Sequence, residues 1–292
     1  MEHARRLTHM PNRPAAVAGT WYPGTAGALL RDVDAYLAEV DVTPRGHVHA
    51  VIAPHAGLMF SGPVGAWAYK AAAAAGPYEA AILLGPSHFV AFDGVALYPD
   101  GAFECPLGPA TIDAALGARL LEASDVIHAL PSPHRREHSL EMQLPFLKRV
   151  LPEVPIVPLL MGFQTRETIE ETARALAGAA SGRRVLLVAS TDLSHYFDAT
   201  TAASLDARVR DAVAALDPDR LLQLFEQYPE GERGRYVACG GGPAIAVMSA
   251  ARALGARTGR ILKYAHSGDV SGDNTAVVGY LAAAIGTFTD VH

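Results

Sequence analysis

The stretch VHAVIAPHAGLMFSG, Val48 to Gly62, decides how the chain is read. Val48, Ala50, Val51, Ile52 and Ala53 form a short apolar run without strict alternation, the pattern of a strand buried on both faces. The run stops at Pro54-His55 and loosens into glycines, so His55 falls just past the strand end. In open α/β sheets ligands bind beyond the carboxyl ends of the strands, and a histidine there is placed to bind metal or move protons. The same grammar recurs twice. Ala80-Ala81-Ile82-Leu83-Leu84 runs into Gly85-Pro86-Ser87-His88, and Val185-Leu186-Leu187-Val188-Ala189 runs into Ser190-Thr191-Asp192-Leu193-Ser194-His195. Singly each is readable as a loop histidine bonded to backbone; as a set they predict a site.

Outward from these strands, helical spacing alternates with strand-like runs. Leu29, Leu30, Val33, Tyr36 and Leu37 predict a helix capped by Thr25, and Val64, Trp67, Ala68 and Ala71 predict another over Pro63 to Ala75. Gly101 to Gly108 reads as a hairpin or loop, and Pro109 and Thr111 as the opening of a helix carrying Ile112, Leu116, Leu120 and Leu121. His138 to Leu147 reads as opening in a helix, with His138 and Glu141 on one face and Pro145 kinking or interrupting it. Pro155 to Met161 is a strand, Thr165 to Ala179 a helix, and Ala202 to Ala215 and Pro218 to Gln227 two more. A small-residue helix runs from Cys239 through Leu254, and strands over Arg260 to Ala265 and Thr275 to Ala283 close the chain. The alternation predicts a single α/β domain, residues 13–288, with a mixed, mostly parallel central sheet flanked by helices. Residues 1–12 read as a flexible lead-in.

Composition narrows the function classes. A chain of 292 residues, 50% hydrophobic, can bury a large core. Its formal charge of −6 and pI near 6.0, with scattered Arg and Lys, argue against a nucleic-acid protein. Two cysteines build no disulfide framework, no signal peptide opens the chain, and no apolar window reaches membrane-span length. A reducing cytoplasm is the expected setting.

The chemistry-bearing residues follow. His55 and His88 close apolar strands in Pro- and Gly-shaped turns that hold a ring rigidly, so they are candidate metal ligands. Cys239, just before Gly240-Gly241-Gly242, either meets the unpaired N–H groups of a helix start, which favours a reactive thiolate, or is simply small and buried. The glycines resemble a phosphate loop only weakly, because no Lys-Ser/Thr follows. Asp192 can orient His195 for acid–base work, cap the next element, or do both. His138 with Glu141 is either a supporting pair or an exposed helix face.

The motifs APHAG at His55, GPSH at His88, EHSLEMQLPFL at His138, STDLSHY at His195 and ACGGGPA at Cys239 closely resemble the Memo family, which includes AmmeMemoRadiSam system protein B. VAGTWYPG near the start and SGDVSGD near the end extend the resemblance from about Arg13 to Gly286. It implies a fold similar to the catalytic subunit of type III, LigB-like extradiol dioxygenases, which hold non-haem iron with two histidines and a carboxylate. By position, His55 and His88 match the histidine ligands and His195 the proton-moving histidine. Cys239 stands where the dioxygenases have the carboxylate, and a thiolate admits copper or zinc as well as Fe(II). The resemblance therefore implies a metal-dependent redox enzyme acting on a small molecule, with His138 and Asp192 assisting. Its alternatives are a peptide- or phosphopeptide-binding module reusing the cleft, and a zinc hydrolase. It also implies AMMECR-type and radical-SAM proteins as partners.

Overall fold

The computed structural model describes residues 12–41 and 45–289, so the lead-in expected at residues 1–12 lies, apart from Asn12, outside the described residues. In chain order the elements are α1 (Ala26–Ala38), β1 (Gly46–Ala53), α2 (Leu58–Ala75), β2 (Ala80–Pro86), β3 (Val95–Leu97), β4 (Ala102–Phe103) and β5 (Ala110–Thr111). Then come α3 (Ala114–Ala123), β6 (Ile127–Ala129), α4 (Leu144–Val150), β7 (Ile156–Met161), α5 (Arg166–Ala180), β8 (Val185–Ser190) and β9 (His195–Phe197). The chain continues through α6 (Ala199–Ala214), α7 (Pro218–Glu226), α8 (Glu230–Tyr236), α9 (Gly241–Ala253), β10 (Thr258–His266), α10 (Gly268–Ser271) and β11 (Val277–Phe288).

The main sheet runs β10-β11-β1-β8-β2-β7-β3-β6, with β9 pairing β11 beside this path. Its centre, β1-β8-β2-β7, is parallel, while β11 joins β1 and β3 joins β7 antiparallel. The mixed, mostly parallel sheet of a single α/β domain is therefore what these residues form. The apolar runs lack alternation because both faces are covered. Ile52, Ile82, Leu84, Leu187 and Ala189 face a core shared with α5, α7 and α9. Their neighbours Val51, Ala53, Leu83, Leu186 and Val188 face a second core shared with α1, α2 and α4.

One detail of the order positions the site. β8 enters between β1 and β2, with Ala53 level with Ser190 and Leu84 with Ala189. The carboxyl ends that lead to His55, His88 and Asp192 therefore lie side by side.

Several local expectations are corrected. Thr25 precedes α1, but its hydroxyl makes no capping bond. The helix expected from Pro63 starts at Leu58: Gly57 O accepts from Phe60 N and Ser61 N, and Pro63 is carried inside it. The helix expected at Pro109 begins instead at Ala114, capped by the Asp113 carboxylate, because Ala110–Thr111 pairs with Ala102–Phe103. His138 and Glu141 share no helix face. Glu141 opens a 3₁₀ turn, and α4 starts at Leu144 with Pro145 in its first turn, where a missing N–H does no harm. The cause is tertiary: Glu141 is fully buried, paired with Arg13, and accepts from Ala16 N, Val17 N and the Tyr22 hydroxyl. No helix among the described residues is long and apolar enough to cross a membrane.

Candidate metal centre

His55 leaves β1 through Pro54 and is 2% exposed. Its backbone N–H donates to Asp192 Oδ1 at 2.8 Å, and its Nδ1 lies 2.8 Å from Ser190 Oγ on β8. The surrounding bonds decide the tautomer. Ser190 spends its one hydroxyl hydrogen on Ser139 O at 2.6 Å and also accepts from Gln143 Nε2 at 2.8 Å. The Gln143 amide is oriented in turn by the Tyr69 hydroxyl, which donates to its Oε1 at 2.9 Å. Ser190 can then only accept from His55, so Nδ1 carries a hydrogen and Nε2 is the ring nitrogen left for other partners.

His88 is held the same way by a residue the sequence reading passed over. Glu137 Oε2 accepts from His88 N at 2.6 Å, and Oε1 lies 2.9 Å from His88 Nδ1 while accepting from His138 N at 2.9 Å and Ser139 N at 3.0 Å. An ionised carboxylate only accepts, so Nδ1 of His88 also carries a hydrogen, which leaves Nε2 as the ring nitrogen a metal could take once its proton is released. Burial would raise the Glu137 carboxyl, but the hydrogen bonds and charge of His88 hold it down at about 2.

Cys239 completes the set. Its Sγ lies 3.2 Å from His55 Nε2 and accepts from Asp192 N at 3.4 Å. The ligand atoms of His55, His88 and Cys239 all fall within 4.8 Å of one another. Burial opposes ionisation of the thiol, yet the charge and hydrogen bonding of His55, joined by His88, bring it down to about 6. His88 moves the opposite way: burial would lower it, but Cys239 and Glu137 carry it up to about 10. Two imidazole nitrogens and a thiolate are the donors preferred by iron, copper or zinc, not by magnesium or calcium. His88, Glu137 and His138 also cluster within 4.8 Å, but Glu137 is already saturated by N–H donors and the His88 Nδ1 is spent on it. The glycines after Cys239 serve packing. A Cβ on Gly240 would run into the Ser190 carbonyl oxygen, and one on Gly241 into the Phe225 ring.

A cleft of about 710 Å³ opens over this cluster, lined by His55, His88, His138, Asp192 and His195. The ring of His138 sits between Trp21, with centroids 4.2 Å apart, and His88, stacked at 4.6 Å. Burial, then the neighbouring His55 and His88, push its pKa down to about 3, so it is a neutral imidazole at ordinary pH. Its Nδ1 is buried and, at 3.3 Å from Glu137 Oε1, makes no hydrogen bond. His195 begins β9, its buried Nδ1 also without a partner, and the next residue, Tyr196, takes a left-handed φ of 63°. Such backbone is unusual for an aromatic residue and concentrates at functional sites. Asp192 is buried and its carboxyl is raised, chiefly by burial, with His195 opposing. It makes no hydrogen bond to His195 among the described residues; it clamps the backbone of His55.

The structure thus brings His55, His88, Cys239, Asp192, His138 and His195 around one cleft and separates Glu141 from them. The residues missed were Glu137, Ser190, Gln143 and Trp21. Glu137 immediately precedes His138, and a carboxylate adjoining a candidate histidine was the available signal. His134, given no role, is buried with its Nε2 3.0 Å from Ala96 O, and Cys105 is buried away from the cleft.

The family model described as Memo-like protein matches residues 13–284. The chain is similar to a MEMO1 family protein of Methanopyrus kandleri, 37% identical over 282 residues and covering 92% of this chain and 97% of that one. It is also similar to a MEMO1 family protein of Methanothermobacter thermautotrophicus, 35% identical over 281 residues, with 93% and 99% covered. Among solved structures, an uncharacterized protein of Escherichia coli K12 shares the fold at a TM-score of 0.57 and 16% identity, covering 82% of this chain and 100% of its own. The present chain belongs to the Memo family.

Proposed function

We propose that this chain is a metal-dependent redox enzyme that acts on a small substrate in the cleft over His55, His88 and Cys239. The observation that carries the reading is the convergence of two imidazoles, each with Nδ1 engaged by a fixed partner, on a cysteine whose thiol is brought down to about 6. Bound Fe(II), or copper in its place, would supply one-electron redox chemistry and polarise a substrate oxygen.

The chain's own residues divide the remaining work. Ser190 and Glu137 fix the orientation of the ligating rings. His138 is neutral at ordinary pH and lines the cleft, so its ring can accept a hydrogen bond from a bound substrate without taking its proton. His195, with an unpartnered Nδ1 on the same cleft, is the group placed to move a proton to or from the substrate. Trp21, Leu58 and Phe60 supply apolar lining that limits water around the reacting groups. A phosphopeptide-binding role gains no support, because among the described residues no Lys or Arg lines the cleft to grip a phosphate.

The test is metal content after anaerobic purification and separate reconstitution with Fe(II), Cu and Zn, alongside His55→Ala, His88→Ala and Cys239→Ala. One equivalent of iron or copper, lost in all three folded variants and accompanied by oxygen uptake in the native protein, is the expected outcome. Tight binding of zinc alone with ester or amide cleavage would replace this reading with hydrolysis. No binding above the variants would overturn both.

A further inference from the structure

The segment Arg135-Arg136, just ahead of Glu137, lines a second hollow beside the cleft. Its volume is about 470 Å³, and its walls are Phe89, Val90, Ser132, Pro133, Arg135 and Arg136, none of which lines the cleft. The two guanidinium groups are the only charges on that lining among the described residues, in a chain whose formal charge is −6. Neither Arg135 nor Arg136 has a hydrogen bond or ion pair to any described residue, and the Ser132 hydroxyl has no partner among them. Arg136 is nonetheless placed, because its Cζ lies over the Phe89 ring, 5.4 Å from the centroid. The same ring meets His138 of the cleft with centroids 5.8 Å apart, which makes the two cavities neighbours. Both walls rest on fixed backbone. Ser87 Oγ donates to Val90 O at 2.7 Å and His88 N to Glu137 Oε2, which sets the turn that presents Phe89. On the other side Arg13 donates to the carbonyl oxygens of His134 and Glu137, the residues that bracket Arg135-Arg136.

A guanidinium over an aromatic ring uses its flat face and leaves the N–H groups around its edge directed away from the ring. That edge carries parallel donors that match the two oxygens of a carboxylate. Phe89 and Val90, 52% and 40% exposed, add apolar surface beside it. A cationic ligand would meet two like charges with no acidic side chain on the lining to offset them. We infer that this hollow is a binding site for a small carboxylate with a planar apolar body. Arg136 takes the carboxylate, assisted by Arg135 and the Ser132 hydroxyl, and the body lies against the exposed parts of Phe89 and Val90. The volume is within the range of small-molecule sites, and the fixed backbone of both walls keeps the cost of ordering low. Because the hollow shares no lining residue with the cleft, the site stands whether or not the cleft holds a redox metal.

The test titrates three matched probes, phenylacetate, phenylacetamide and phenethylamine, against the metal-free full chain at low salt. Ligand-observed NMR reads affinity and backbone amide shifts read position. A charge-assisted pair at a partly exposed Arg amounts to about tenfold, so phenylacetate is expected to bind about tenfold more tightly than the amide, with the amine weakest. The shifted amides are expected to be those of Phe89, Val90 and Ser132. Arg136→Gln should bring the ratio of acid to amide down to about twofold or less while leaving the amide's own affinity unchanged, which also reports that the hollow is intact. His88→Ala removes the cationic imidazole of the cleft and should leave the ratio as it was, whereas an acid bound in the cleft would lose its preference in that variant. The inference is overturned if the amide binds as tightly as the acid, if Arg136→Gln leaves the ratio unchanged, if His88→Ala abolishes it, or if none of the probes binds. The ratio is read without metal, so its failure leaves the redox reading standing and its success adds nothing to that reading.

Discussion

Replacing Glu137 by Gln tests the reasoning behind the metal centre most directly, because it keeps size and shape and changes only charge and donor pattern. The carboxylate faces donors on both oxygens: His88 Nδ1, His138 N and Ser139 N on Oε1, and His88 N on Oε2. A Gln side chain has one acceptor oxygen and one NH₂ group. With the oxygen at the Oε1 position the NH₂ confronts His88 N–H; flipped, it confronts three donors. At least one buried N–H is left unpaired, a loss of about 1–3 kcal/mol in the metal-free protein. His88 also loses the charged partner that orients it, and removal of such a carboxylate lowers metal affinity about 10–100-fold, or about 1.4–2.7 kcal/mol. Competition titration against a chromophoric chelator reads the affinity, and urea unfolding of the metal-free protein reads the stability. The acid limb gives a second signature. The Glu137 carboxyl is depressed from 4.5 to about 2 in the folded protein, so its contribution is fully present above pH 4.5 and is lost as pH falls through about 2. Glu137→Gln should lack that part of the acid transition. A folded variant whose metal affinity stays within about twofold of the native protein would refute the role given to Glu137.

Three further outcomes are expected. Cys239, with its thiol near 6, should be alkylated by iodoacetamide at a rate that levels off by neutral pH and falls on metal loading, whereas Cys105, buried and raised to about 11, should stay unmodified in the folded protein; peptide mass spectrometry distinguishes them. Arg13→Ala strands Glu141 without its buried cation and should cost about 3–5 kcal/mol in urea unfolding, against at most about 1 for Arg149→Ala, whose pair with Asp34 is half-exposed. His134 is lowered from 6.5 to about 3 by burial, so the unfolded chain binds its proton first and stability drops as pH falls below 6.5, by about 2 kcal/mol at pH 5. His134→Gln should flatten the stability–pH slope in that window.

The strands were legible because burial on both faces writes itself into local composition: the runs ending at Ala53, Leu84 and Ala189 read as strands without reference to anything distant. Their terminal histidines were legible for the same reason, as abrupt changes at the ends of apolar runs. What lay hidden depends on partners far away in the chain. The segment from His138 has good helical spacing, yet the Arg13–Glu141 pair, spanning most of the first half of the chain, bends it into a turn. Trp21 read as an anchor for its own turn, and nothing local says that its ring packs against His138. β9 is three residues, HYF, too short for any period and formed only because β11 offers an edge at Val277 and Val278. Glu137 reads as the tail of a polar loop until His88 is brought against it.

The placement of β8 between β1 and β2 has a consequence for the order of events during synthesis. β1 and β2 leave the ribosome early, but the slot between them is filled by residues 185–190 and the outer edge of β1 by residues 277–288. Closing such long loops precedes the contacts that reward them, so this half of the sheet assembles late. Ser190, which sets the ring of His55, and Cys239, which completes the ligand set, both arrive after that point. A nascent chain therefore presents these histidines before Ser190 and Cys239 have joined them, so the pocket proposed to hold a metal exists only in molecules that have already folded.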